Sequence, residues 1–487
     1  MATSELKNKT AKGLLWGGLG STLTQLASLI FGIFLARLLT AEDYGLVGLL
    51  AVFSQLASNF CESGFTKALI NRPKINQEDY DSVFIFSTGL GLILYAVLFF
   101  CAPLIARFYE DTRLIALSRY AFLSVIIGGL NVAPNACMYK KLMVKERTIN
   151  SFIGVLVSNG VGVIMAAKGF AHWGIVTQSN LFVLVVLILN FYKSNWKPSF
   201  TFSLRPIKEM LPFSVKLLLT NIVKIINGNI FVIFLAKFFS INTVGNYNQA
   251  NKWSTMGYYT ITNTMFSVTQ PVLASIGPEE KDRHRNAFRK MIRFTSFLCF
   301  PAMFGLAFIA NEFIVILITE KWLESAAMLQ ILSVGYAFFI IAYVLSELLA
   351  ERNRSDLYLL VSSTSGILQL LCLFFLHTLG IKVLLFSFVG VQLFSLFLWF
   401  FFVHREIHYT LKHFVLDTFS YAGVAAISIF GARFLLAGIH NLYLSLVSKI
   451  AVVATFYIGI LYFLKAAMLR ESLEYIKFLL SKIRRKS

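Results

Sequence analysis

The residues best placed to do chemistry are lysines inside an otherwise apolar segment. Lys216, Thr220, Lys224 and Asn227/Gly228 recur at spacings of four and three, which places them on one stripe of a helix over 207–238. Lys224 lies about 18 residues after Pro206 and about 14 before Phe238, so at ~1.5 Å per residue it sits near the middle of a helix that crosses a bilayer. A charge at that depth costs a few kcal/mol or more and marks a functional candidate by default. An ammonium in a desolvated cavity can offset an anion that must pass through hydrocarbon. Two other roles stay open: a structural ion pair for Lys224, and snorkelling to the nearer boundary for Lys216.

A second constellation follows at NYNQANKWST (246–255), continued by Tyr258, Tyr259, Thr262 and Asn263. Lys252 has Asn248, Thr255 and Tyr259 around it at helical spacing. Tyrosine and asparagine offer an apolar face and hydrogen-bonding tips, a combination suited to polyhydroxylated ligands. Trp253 and the tyrosines also fit an interfacial aromatic belt. A third stripe holds Gln55, Ser58/Asn59, Glu62 and Thr66. Glu62 is a candidate for proton or sodium coupling, for partnering a cation, or for a solvated structural role near the helix end. Glu347 and Glu351 are expected to pair with Arg352 and Arg354, and Arg119 faces either a cavity or headgroups.

Several chemistries find no support. No G-x-x-x-x-G-K-[ST] loop, H-E-x-x-H or His/Cys cluster is present, so ATP hydrolysis and metal catalysis are not expected. No catalytic residue, metal or cofactor is expected, and the chain reads as a non-enzyme. Cys61, Cys101, Cys137, Cys299 and Cys372 are odd in number and dispersed through apolar runs, which fits packing rather than disulfides.

The elements that must position these residues are membrane spans. The 487 residues are 57% hydrophobic and 14% charged, with 48 Phe and a mean hydropathy of +0.71, more apolar material than a water-facing surface tolerates. Runs such as VFIFSTGLGLILYAVLFF (83–100) approach the ~20 residues that cross a bilayer. The expected class is all-α and polytopic, with about 14 transmembrane helices including 13–38, 44–68, 207–238 and 244–274. The first apolar run is too long for a cleavable signal, so no cleaved leader is expected.

A net charge of +20 would suggest nucleic acid in a soluble protein. Here about 31 of the 44 Lys and Arg fall on one side and about 10 on the other, the positive-inside asymmetry of a bilayer protein. The reading is no nucleic-acid partner, cytoplasmic N- and C-termini, and a cytoplasmic RHRNAFRKMIR cluster (283–293).

The chain also repeats itself. FGIFLARLLTAEDYG (31–45) returns as FVIFLAKFFSINTVG (231–245), with Arg37 matched by Lys237, Thr40 by Ser240 and Gly45 by Gly245 in a short turn. Leu123-Ser124-Val125 returns as Leu332-Ser333-Val334, and KGFAHWGIV (168–176) resembles HTLGIKVLL (377–385). Six helices separate the copies, so both cross in the same direction, as parallel repeats about a pseudo-twofold along the membrane normal. The expected organisation is an N-lobe over 1–205, a C-lobe over 206–410, and two extra helices with a basic tail over 411–487. Gly20, Thr24, Ser28 and Gly32 then correspond to the lysine stripe; small residues at that spacing also make a packing seam.

The N-terminal run LARLLTAEDYG, then SGFTKALINRP, EDYDSVF, CAPLIARFY (101–109) and NACMYKKLMVKERT (135–148) resembles the polysaccharide transporters of the multidrug/oligosaccharidyl-lipid/polysaccharide exporter superfamily. The branch it is most similar to is the lipopolysaccharide and colanic-acid type of lipid-linked oligosaccharide flippase. The resemblance implies two lobes around a cavity open alternately to each side of a bacterial inner membrane. It implies undecaprenyl-pyrophosphate-linked oligosaccharide as the substrate, membrane lipids as partners, and polymerase and chain-length machinery as further candidates. On that footing Lys224, Lys252, Lys216, Asn227, Tyr259 and Asn59 are the substrate-binding candidates, and Glu62 the ion-coupling candidate. A multidrug exporter of the same superfamily is the alternative, although that chemistry favours carboxylates over lysines. A membrane glycan polymerase or ligase is a third reading, disfavoured because the longest outer connection, around 311–322, is short.

Overall fold

The computed structural model describes residues 2–62, 64–199, 201–274, 281–352 and 354–474. The basic C-terminal tail lies outside the described residues. Every regular element among those described is helical. In hydrocarbon a backbone without water must satisfy its own N–H and C=O groups, and a helix does so within one segment.

Two compact units divide the chain, Met1–Asn248 and Gln249–Ser487. The first holds α1 (Ala2–Leu38), α2 (Ala41–Glu62), α3 (Phe65–Asn71), α4 (Gln77–Phe108), α5 (Arg113–Ala121), α6 (Leu123–Lys140), α7 (Val144–Ala167), α8 (Ala171–Ser194) and α9 (Leu204–Phe238). Helix α10 (Ile241–Ala274) starts in the first unit and continues into the second. The second unit then holds α11 (Lys281–Phe308), α12 (Ala310–Ile318), α13 (Leu323–Glu351), α14 (Ser355–Leu376), α15 (Ile381–Ile407), α16 (Leu411–Leu435) and α17 (Leu442–Phe463).

Among the described residues thirteen helical stretches are long and apolar enough to cross a membrane, against the expected fourteen. The difference is α10, which is 34 residues long but too rich in Asn, Gln, Thr and Lys to qualify. The chain is thus an all-α polytopic membrane protein in which one long helix carrying a candidate site, α10, falls short of the apolar character of a span. Large apolar side chains such as Ile93, Phe100 and Leu104 on α4, or Ile367, Phe374 and Phe375 on α14, point outward, as lipid contact demands.

In the first unit α7 packs on α8 and α1, α6 on α4 and α8, and α9 on α2, α3 and α4. In the second, α13 is the most enclosed span, packed on α15 and α11, with Leu332, Ile340, Ile341, Val344 and Leu345 all buried. Helices α16 and α17 join it through α11 and α12. All five cysteines are free thiols; Cys61, Cys137 and Cys299 are buried.

Three expectations need correction. Gly45 and Gly245 are each the fifth residue of a helix, α2 and α10, rather than part of the turn before it. Both are used for close approach: a Cβ on Gly45 would overlap the Ile241 carbonyl, and one on Gly245 would overlap the Ala41 carbonyl. The second apolar run, Ala41–Asn71, carries a left-handed residue at Gly64, which takes φ +72° and packs against Leu217 and Ser214 of α9. The connection expected around 311–322 is itself largely helical, with Ile314, Ile318 and Trp322 fully buried.

Local caps fix the helix starts. Asn76 and Asp79 form a reciprocal capping box at α4. Buried Asp81, the fifth residue of α4, accepts hydrogen bonds from Gln77 and from the hydroxyls of Ser199 and Thr201, tying the segment before α9 to α4.

Candidate functional site

Helices α2 and α9 meet within the first unit, through Gln55 of the expected α2 stripe and Asn229, which lies outside the expected lysine stripe of α9. Asn229 of α9 donates to the Gln55 side-chain oxygen of α2 at 2.9 Å, and Asn59, one turn along α2, donates to the Gln55 carbonyl at 3.2 Å. Lys216, Thr220 and Lys224 are exposed and Asn227 is half-buried, while Ile225, Ile230 and Phe231 on the same helix are buried. Lys216 and Lys224 are therefore accessible side chains of α9. Glu62 is exposed as the last residue of α2, beside the break at Gly64. On α1 the packing seam holds at Gly20, which is buried against Thr148 of α7, and the Thr24 hydroxyl donates back to the Gly20 carbonyl at 2.7 Å.

Lys252 and Tyr259 belong to the second unit. Lys252 is exposed, its ammonium 5.9 Å from the ring centre of buried Trp253. Tyr259 is 57% exposed and meets Tyr258 edge-on at 5.0 Å. Buried Tyr258 extends the group: it stacks on Phe339 at 5.3 Å and lies 5.9 Å from Tyr336 and 6.0 Å from Tyr343. The Tyr336 hydroxyl donates to the Asn251 side chain at 2.7 Å, and the Tyr343 hydroxyl to Glu347.

This tyrosine-rich face joining α10 and α13 was missed in the sequence beyond Tyr258 and Tyr259. The signal was present: Tyr336, Tyr343 and Glu347 lie seven and four residues apart on one helical face. Glu347 thus faces tyrosines, and Arg354 pairs with Asp356 and Glu406, in place of the expected pairing with Glu347 or Glu351.

Charged clusters mark the ends of the helices. Where α1 passes into α2, Arg113 bridges Glu42 at 2.6 Å and Asp111 at 2.7 Å, and His172 meets Asp43 at 3.2 Å. The Arg113 guanidinium holds the Asp111 carboxyl below the usual carboxylate range. At the opposite end of α2, Arg72 reaches Glu209 of α9 at 2.7 Å and Asp79 of α4 at 3.5 Å.

The basic cluster on α11 also has work inside the protein. Arg289 and Arg293 reach Asp417 of α16 at 2.9 and 2.5 Å, and the Tyr409 hydroxyl donates to it at 3.0 Å. Asp417 is only 3% exposed, so these three donors hold a carboxylate that would otherwise be desolvated alone. Among the described residues no group of His, Cys, Asp and Glu could hold a metal ion.

The profile of the family described as "Polysaccharide biosynthesis protein" matches residues 34–327. The chain is 26% identical to an uncharacterized membrane protein in the cps region of Klebsiella pneumoniae, over 72% of this chain and 73% of that one. It is 24% identical to the lipopolysaccharide biosynthesis protein WzxC of Escherichia coli (strain K12), over 72% of each. Its fold is similar to that of the lipid II flippase MurJ in an inward closed conformation. The TM-score is 0.76 at 14% identity, covering 92% of this chain and 99% of that one.

Proposed function

The chain belongs to the polysaccharide biosynthesis protein family, and from that premise we propose that it carries a lipid-linked oligosaccharide across the membrane as a transporter rather than an enzyme. The observation that carries this reading is the pair of accessible lysines on α9, Lys216 and Lys224. A pyrophosphate-linked lipid presents an anion, and compact ammonium groups attract it without the bidentate grip of an arginine clamp. Asn227 adds a neutral hydrogen-bonding group on the lysine stripe, and Asn59 adds one on α2. In the second unit Lys252, Tyr259 and the tyrosines of α13 offer ring faces and hydroxyls to sugar rings. Glu62 is the group we assign to ion coupling.

The repeat supports a division by sequence into an N-lobe over 1–205 and a C-lobe over 206–410, with 411–487 appended. The charge asymmetry supports an inner-membrane location with both termini cytoplasmic. Transport of undecaprenyl-pyrophosphate oligosaccharide into proteoliposomes, with and without an imposed proton or sodium gradient, tests the reading. Protein-dependent inward movement of the glycan supports it. Extrusion of organic cations with no movement of the glycan would replace it with the multidrug reading.

A further inference from the structure

A cavity of about 320 Å³ lies between α1 and α7, lined by Ser21, Thr24, Gln25, Arg147, Thr148 and Ser151. Its chemistry is that of an anion site. Arg147 is half-buried, and among the described residues no carboxylate pairs with it, whereas Arg72, Arg113, Arg289, Arg293 and Arg354 each have one. Its guanidinium carbon sits 3.1 Å from the centre of the Tyr139 ring, and a guanidinium carries five N–H donors, more than one aromatic neighbour can engage. The Thr148 and Ser151 hydroxyls and the Gln25 amide have no hydrogen-bond partner among the described residues.

The height of the cavity identifies the source of the anion. Gly20 of α1 packs on Thr148 of α7, and Arg147 lies in the first turn of α7, at the start of the candidate span Val144–Ala167. The cavity therefore sits at the bilayer boundary where α7 begins. At that rim the Lys145 ammonium sits 5.0 Å over the ring of Trp16, which is exposed, the pairing of indole and cation found at headgroup level.

We propose that this cavity binds the phosphate ester of a membrane lipid headgroup, with the Arg147 guanidinium as the charged donor and the hydroxyls of Thr148 and Ser151 and the Gln25 amide completing the shell. The site takes lipid from the leaflet facing the start of α7, and it needs no assumption about the transported cargo.

The test uses the full chain in detergent micelles, with dioctanoyl phosphatidylglycerol binding followed by native mass spectrometry. Dioctanoylglycerol, which lacks phosphate, and inorganic phosphate are the separate arms. The wild type should bind the phospholipid saturably and the neutral lipid poorly. Arg147→Gln should weaken phospholipid binding about ten-fold, the loss of one charge-assisted donor, and Arg147→Lys should weaken it less. Arg405→Gln, far along the chain and stacked on Phe401, should leave binding unchanged. Thermal melting of each variant checks folding. If Arg147→Gln does not fold, the double variant Thr148→Val with Ser151→Ala gives the same readout. Equal phospholipid binding by wild type and variant, or equal binding of the neutral lipid, would overturn the proposal. Displacement of the phospholipid by millimolar inorganic phosphate would overturn the lipid assignment in favour of a free anion.

Discussion

Gly245 lies so close to Ala41 that a Cβ on the glycine would overlap the alanine's carbonyl oxygen. Gly45 stands in the same relation to Ile241, which is 200 residues from Ala41 as Gly245 is from Gly45. Two helix starts written in nearly the same sequence therefore press backbone against backbone. Neither oxygen sits at the end of a flexible side chain, so neither can move aside cheaply. Gly45→Ala and Gly245→Ala should each destabilise the protein by about 1–3 kcal/mol or more. Gly459→Ala, at a position with no atom in reach of a Cβ, should not. Thermal melting in detergent compares the three, and equal melting temperatures would count against the close approach.

Asp417 should be a stability residue. Asp417→Ala leaves Arg289 and Arg293 without their carboxylate, and losing one member of such a buried set typically costs about 3–5 kcal/mol. Membrane-inserted abundance should fall sharply, and fall less for Asp417→Asn, which keeps acceptor oxygen for Tyr409. Unchanged abundance for Asp417→Ala would contradict the structural role.

Lys224→Ala should abolish glycan transport while leaving abundance largely intact, because the side chain is accessible. Arginine should rescue only in part, since its planar fork differs from a compact ammonium. A fall in abundance would identify a structural ion pair instead. Normal abundance together with normal transport would remove Lys224 from both roles.

Adjacent tyrosines should separate function from folding. Tyr259 is 57% exposed, and Tyr258 only 7%. Tyr259→Ala should lower transport with little change in melting temperature. Tyr258→Ala should lower the melting temperature, since removing a buried aromatic ring costs about 3–5 kcal/mol. The reverse pattern would exclude the α10–α13 face as a ligand surface.

Sidedness has its own test. A cysteine at position 285, in a background lacking the five native cysteines, should be shielded from membrane-impermeant maleimide in intact cells and react after permeabilisation. Labelling in intact cells would invert the topology and the direction of every candidate above.

The sequence by itself determined the membrane class, the helical fold and the repeat. Each rests on local quantities: the length of apolar runs, the obligation of a backbone in hydrocarbon to bond within its own segment, and identity of spacing. It also placed Gln55, Asn59, Lys216 and Lys224 on faces, because helical period converts spacing into direction. Tertiary structure decided which faces are packed and who meets whom. Arg289 and Arg293 read as two more basic residues near a membrane boundary until Asp417, over 120 residues away, was brought against them. Tyr343 and Glu347 looked like residues of an apolar run and a boundary charge until α10 set Tyr258 beside them. Arg147 belonged to a basic stretch until the fold set the hydroxyls of Ser21, Thr24, Thr148 and Ser151 around one cavity with it. Long-range partnership leaves no trace in local spacing, since a carboxylate far along the chain has the same composition whether or not it reaches an arginine.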